Sequence, residues 1–219
     1  MLAAVRSAAV LGVDAVPILV EVDAARGLPQ WTLVGLAAGA VKESRERVSA
    51  ALSNSGFAIP PRRVTVNLAP ADTRKEGTSY DLPIALAFLV ATGQLAPERV
   101  AGLCAVGELG LDGAIRPVRG VLPVARLAAA DGRTTLVVPP RNVAEARLVG
   151  RARVAAPATL RDLVDQLAMG ALEEAPARQP PEADPPPAVE MADVVGQVAA
   201  RRALEIAAAG EHGAVNPWR

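Results

Sequence analysis

Lys75-Glu76-Gly77-Thr78-Ser79-Tyr80-Asp81 runs without a break into the apolar stretch Leu82-Pro83-Ile84-Ala85-Leu86-Ala87-Phe88-Leu89-Val90. A short polar loop with a glycine and a cation thus opens onto a helix, which stops near Thr92-Gly93. The first turn of a helix leaves backbone N–H groups unpaired and carries a partial positive charge, so a serine at its mouth sits where a nucleophile or an anion site is built. The plainer reading of the same residues is local: Ser79 or Asp81 caps the helix, and Pro83 occupies the permissive first turn. A catalytic Ser79 needs a neighbouring base.

Upstream of this window the chain alternates. Val5 to Gly12 and Pro17 to Val22 read as two strands around a turn, and Trp31 to Leu36 as a third. From Val41 the period is helical: Val41, Val48, Ala51 and Leu52 share one face, Lys42, Glu43, Arg45, Glu46 and Arg47 cover the other, and Ser55-Gly56 ends the helix. Arg63 to Leu68 is a short alternating strand that runs into a loop over 69–74. Downstream, strands are expected over 103–107 and 135–139, with a hairpin at Asp112-Gly113, a pair that favours the tight turn matching strand twist. Helices are expected over 121–130, 142–149 and 160–169. These elements make an α/β domain of residues 1–168. Residues 169–190, rich in Pro, Glu, Asp and Ala, read as a semi-stiff linker, and an Ala-rich helix through Ala209 lies within 191–219.

Composition narrows the function. The chain is 51% hydrophobic and only 2% aromatic, so its core is aliphatic. Basic and acidic residues balance at 23 each, so bulk charge recruits neither nucleic acid nor membrane. Cys104 is the only cysteine, which excludes an intrachain disulfide and a cysteine metal cluster; it reads as a buried strand residue, and no metal site is expected. His212, the only histidine, reads as a helix-end residue. The N-terminus has no signal-peptide core and no spanning segment, which points to the cytoplasm. The lysines are Lys42, on a charged helix face, and Lys75, on a loop four residues before Ser79; neither reads as a buried base. Arg62, Arg63, Arg74 and Lys75 flank the strand at Val64, as a DNA-contacting patch or as solvated charge.

The Ser79 window resembles the Lys-Asp-Gly-Pro-Ser-Ala-Gly segment that carries the nucleophile of Lon-type proteases. The order of strand, Ser79 loop, apolar helix, Gly107-Glu108-Leu109, Asp112-Gly113 and Pro117-Val118-Arg119-Gly120 is similar to Lon's proteolytic domain. The resemblance implies a Lon proteolytic-domain-like fold (ribosomal protein S5 domain 2-like). In Lon, Pro-Ile-Gly-Gly-Leu-Lys ends on the lysine base of a Ser-Lys dyad. Matching that run to Pro117-Val118-Arg119-Gly120-Val121 puts Leu122 at the base position, and a one-residue slip puts Val121 or Pro123 there. None of these ionises, and the nearest cation, Arg126, does not deprotonate. Ser79 is then a vestigial nucleophile.

A broader resemblance is to the ComM/YifB family of Mg-chelatase-like (subunit ChlI-like) AAA+ proteins. It rests on Leu33-Val34-Gly35-Leu36, on Val41-Lys42-Glu43-Ser44-Arg45-Glu46-Arg47, on Val64 through Asp72, on Lys75 through Pro83, and on Asp193-Val194-Val195-Gly196-Gln197. It implies a regulatory or assembly domain set before an ATPase, with self-association or ring subunits as partners, weak DNA contact, and relatives that process DNA in natural transformation. ATP and Mg belong to the full-length family. In that family Ala-Ala-Ala-Gly-x-His leads to Gly-x-x-x-x-Gly-Lys-[Ser/Thr], whereas here Gly213 to Arg219 follow His212 without that motif. The expectation is an AAA+ opening truncated before the phosphate loop, and a chain that takes no cofactor.

Overall fold

β1 (Leu2–Leu11) and β2 (Asp14–Ala25) form a long antiparallel hairpin in which Leu11 faces Asp14 and Leu2 faces Asp23. Gly12 supplies the positive φ of 63° that this two-residue turn requires. The structure, a computed structural model, describes residues 1–36, 39–41, 43–176 and 195–210. β3 (Gln30–Val34) runs parallel to β4 (Arg63–Ala69), which is antiparallel to β2. On the other side of β1, β5 (Leu103–Ala105), β8 (Thr135–Val137) and β9 (Arg153–Ala155) add in parallel. The seven strands lie in the order β3-β4-β2-β1-β5-β8-β9. β6 (Glu108–Leu109) and β7 (Ile115–Arg116) make a separate hairpin around the expected Asp112-Gly113 turn. The α/β class holds, with a sheet that is mainly parallel.

Side-chain alternation splits the core across the two faces of this sheet. Val5, Ala105, Val137 and Ala155 join the layer of α1 (Ser44–Asn54), α2 (Asp81–Ala91) and α5 (Leu160–Met169). Their neighbours Cys104, Leu136 and Val154 join the layer of α3 (Val121–Asp131) and α4 (Val143–Arg147). Burial pushes the Cys104 thiol up to about 12. α2 is buried along its whole length, which explains why its run carries no polar stripe. Val48, Ala51 and Leu52 are buried on α1, as their spacing requires. Gly35 marks a backbone contact: a Cβ there would lie 2.2 Å from the Leu68 carbonyl oxygen.

Two expectations change. β9 was not foreseen. The chain after α5 does not begin a linker at residue 169: Leu172 packs on the core, and buried Ala175 donates its N–H to the Val154 carbonyl at 2.7 Å. Arg147 bonds the Ala175 carbonyl and pairs with Glu174 at 3.4 Å. The domain therefore runs at least through residue 176, and residues 177–190 lie outside the described residues. Losing such charge-assisted bonds costs about 1.5–3 kcal/mol. Arg147→Ala is thus expected to release residues 171–176, seen by mass spectrometry as new protease cuts before Ala175; an unchanged fragment pattern would show that Leu172 and the Val154 bond hold the segment alone.

A second unit begins at residue 179, and in it α6 (Val198–Ala209) is the expected Ala-rich helix. Among the described residues no helix is long and apolar enough to cross a membrane.

Candidate functional site

The end of β5 and the mouth of α2 are laced together through the backbone. Gly107 donates its N–H to the Ser79 carbonyl at 3.0 Å, Leu82 donates to the Gly107 carbonyl at 3.1 Å, and Asp81 donates to the Thr78 carbonyl at 3.3 Å. Drawing Gly107 to Ser79 ends β5 at Ala105, short of the expected 107. Ser79 is held half-buried on the wall of a cavity of about 570 Å³, which Glu108, Arg119, Val121 and Val124 also line.

Neither Ser79 nor Asp81 caps α2, which starts after Tyr80 without a side-chain cap. Asp81, 1% exposed, instead takes two bonds from Arg47 of α1, Nε to Oδ2 at 2.6 Å and Nη2 to Oδ1 at 3.0 Å. It also accepts the Leu109 N–H at 3.3 Å. Burial pushes the Asp81 carboxyl above its ordinary value while Arg47 pulls it down; the same hydrogen bond raises Arg47. The pair ties α1, α2 and β6 into one joint beside Ser79. Burial raises the neighbouring Tyr80 phenol to about 12.

The first turn of α2 offers little to an anion. The Asp81 and Leu82 N–H groups are engaged, Pro83 has none, and the Asp81 carboxylate already complements the positive end of the helix. The ionisable lining of the cavity is Glu76, Glu108, Arg119 and Tyr80. Glu108 receives the Thr78 hydroxyl at 2.5 Å, and Glu76 pairs with Arg74 at 2.5 Å. No lysine or histidine lines it among the described residues. Lys42 and His212 lie outside those residues.

Of the three residues matched to the base position, only Val121 lines the cavity. α3 begins at Val121 after Gly120, whose φ of 77° sets the entry angle, so fully buried Val121 and nearby Val124 form the wall. Leu122 is not on the cavity; its N–H bonds Glu145 Oε1 at 2.9 Å. Lys75 also departs from expectation: it is fully buried, and its Nζ donates to the Pro70 carbonyl. Burial pushes its ammonium below the ordinary value, with Asp72 pulling the other way. It is neither on the Ser79 cavity nor on a solvated patch.

The four-residue basic patch does not form. Arg62 and Arg63 stand at the start of β4, and Arg74 lies beyond its end. Six steps of strand at about 3.3 Å each put those ends roughly 20 Å apart. The residues that sequence reasoning missed are Arg47 and Arg119. The signal for Arg47 was its place in the helical period between Ser44, Val48 and Ala51, all buried. Arg119 sat inside the Pro117–Gly120 motif and is exposed at the cavity.

Among the described residues no group of three or more His, Cys, Asp or Glu could hold a metal. The 219 residues contain no Gly-x-x-x-x-Gly-Lys-[Ser/Thr].

A family model described as subunit ChlI of Mg-chelatase matches residues 20–142, which include the Ser79 loop, α2 and α3. The chain is 42% identical over 211 residues to the uncharacterized protein YifB of Salmonella typhimurium, covering 96% of this chain and 41% of that protein. It is 43% identical over 206 residues to the uncharacterized protein Mb2921c of Mycobacterium bovis, covering 94% and 41%. It is 40% identical over 215 residues to the competence protein ComM of Haemophilus influenzae, covering 96% and 42%. The chain thus spans about two fifths of the length of these relatives. With the family model matched across the Ser79 loop and both flanking helices, the chain belongs to the ComM/YifB family of Mg-chelatase-like proteins.

Proposed function

We propose that residues 1–176 form a non-catalytic regulatory or assembly domain of a ComM/YifB-type ATPase, built on a Lon proteolytic-domain-like fold in which Ser79 is a vestigial nucleophile. The observation that carries this reading is the lining of the Ser79 cavity: α3 presents Val121 and Val124 where a base would stand, and Glu108 is occupied by Thr78. A serine hydroxyl without a proton acceptor in reach is not a nucleophile at neutral pH. On this reading residues 177–190 link the domain to the opening of an AAA+ module, ATP and Mg act in the rest of the full-length protein, and the whole assembly processes DNA. The domain pairs with its own kind or with ring subunits.

Two measurements test the proposal. A serine-directed probe and unfolded-protein substrates are expected to give the same result for the chain and for Ser79→Ala; labelling that depends on Ser79 would establish the competing peptidase reading. Sedimentation velocity of the chain mixed with full-length YifB is expected to show a complex. Independent sedimentation of the two proteins at every concentration would refute the assembly role.

A further inference from the structure

A second cavity, of about 320 Å³, lies between α1 and the starts of β3 and β4. Phe88, Val64 and Ile59 give it an apolar wall, and Arg45, Arg62 and Ser49 give it a polar side. Among the described residues no carboxylate lines it. Arg45 and Ser49 are one turn apart on α1 and share a face. Arg62 is set opposite by the Gln30 N–H, which donates to the Arg62 carbonyl at 3.3 Å and registers β3 against the start of β4.

Trp31, another lining residue, stacks on Phe88 with ring centroids 5.8 Å apart, and its buried Nε1–H has no acceptor. Buried donors are nearly always paired, so an unpaired indole N–H on a residue that lines this cavity together with two arginines marks a wall rich in donors and poor in acceptors. Indole and guanidinium groups only donate. Arg62 makes one long bond, at 3.4 Å, to the Ala24 carbonyl, and Arg45 has an exposed contact with Glu46 at 3.6 Å, a weak kind of pair. Arg63 and Arg26, exposed near the start of β4, have no carboxylate within ion-pairing range among the described residues and add positive potential.

We propose that this cavity binds a phosphate monoester, with the phosphate on Arg45 and Arg62 and the esterified group against Ile59 and the partly exposed Trp31. Two fixed positive charges match a dianion; a carboxylate or a phosphodiester brings one negative charge. The volume is at the small end of ligand pockets, roughly 300–1,000 Å³, enough for a phosphate and one ring but not for a polymer. The monoester comes from a free nucleoside monophosphate or from the 5′-phosphate end of a nucleic acid strand. The site is independent of the Ser79 cavity and of the assembly reading.

Trp31 reports on the site once the other tryptophan is removed by Trp218→Phe. Inorganic phosphate, titrated against chloride at matched ionic strength, is expected to change Trp31 emission saturably. Replacing both arginines, Arg45→Gln with Arg62→Gln, should weaken binding about tenfold or more, while Arg74→Gln at the far end of β4 leaves it unchanged. Should the double variant fold poorly, Ser49→Glu places a carboxylate at the rim and is expected to abolish binding. A nucleoside monophosphate that binds more tightly than phosphate identifies a free nucleotide as the source. A 5′-phosphorylated oligonucleotide that binds more tightly than its 5′-hydroxyl counterpart identifies a strand end. Equal binding of the two oligonucleotides rules out a strand end as the source, and the proposal is overturned by a phosphate response no different from that to chloride or by equal loss in Arg74→Gln.

Discussion

Arg47→Ala is expected to lower the unfolding free energy by about 3–5 kcal/mol and Tm by roughly 6–20 °C. The reason is not the loss of an attraction alone. Asp81 is 1% exposed, and without Arg47 its carboxylate stays buried with one backbone donor, Leu109 N–H. The effect carries a pH signature. Burial is the first cause raising the Asp81 carboxyl, and Arg47 supplies the main opposing pull, so the variant's folded carboxyl moves further above its unfolded value. A native state that holds its proton more tightly gains stability at acid pH and loses it as pH rises through the folded pKa. The deficit of Arg47→Ala should therefore shrink as pH falls from neutral toward the ordinary carboxylate range. Adding Asp81→Asn should restore much of the stability and flatten this dependence. Chemical denaturation at several pH values measures both; a pH-independent loss under about 1 kcal/mol would show that the pair contributes no more than a surface salt bridge.

Phe88→Ala is expected to cost about 3–5 kcal/mol. Its ring is fully buried at the middle of a helix enclosed on every side, and Trp31 stacks on it. Neighbours fixed in α1, β3 and β4 have little room to close the void, so the cavity term adds to the transfer term. Equilibrium unfolding reads the loss directly. A loss below about 1 kcal/mol would mean that Trp31 swings into the vacated space, an outcome its emission would also register.

The residues that were legible in the sequence are those whose surroundings are local. α2 was readable because its apolar run is bounded by Gly77 on one side and Thr92-Gly93 on the other. β1, β2 and β4 were readable because alternation and turn residues agree. β9 escaped because Arg153-Val154-Ala155 is too short to show a period. Ser79 was placed correctly at the helix mouth, but its chemistry depended on residues far along the chain. Arg47 and Asp81 are 34 positions apart, and nothing local reveals that a charge from an exposed-looking face turns inward to meet another. Lys75 was misread for the same reason: a lysine in a polar loop is normally solvated, and only the fold returns the chain so that Nζ meets the Pro70 carbonyl. Which of Val121, Leu122 and Pro123 faces the Ser79 cavity was not legible either, since one residue along a helix turns a side chain by about 100°.

The docking of Ala175 has a consequence for how copies of the molecule meet. A sheet ordinarily has two borders, each a row of backbone groups ready to accept another strand. Here the Val154 carbonyl on β9 is already taken by the Ala175 N–H, whereas β3 has only β4 as a neighbour among the described residues. Of the two borders of the seven-stranded sheet, β3 is the one that no other described segment is seen to pair. Two molecules joined β3 to β3 about a twofold axis would each close that border of the other, while the Ala175 segment lies over Val154 at the opposite border.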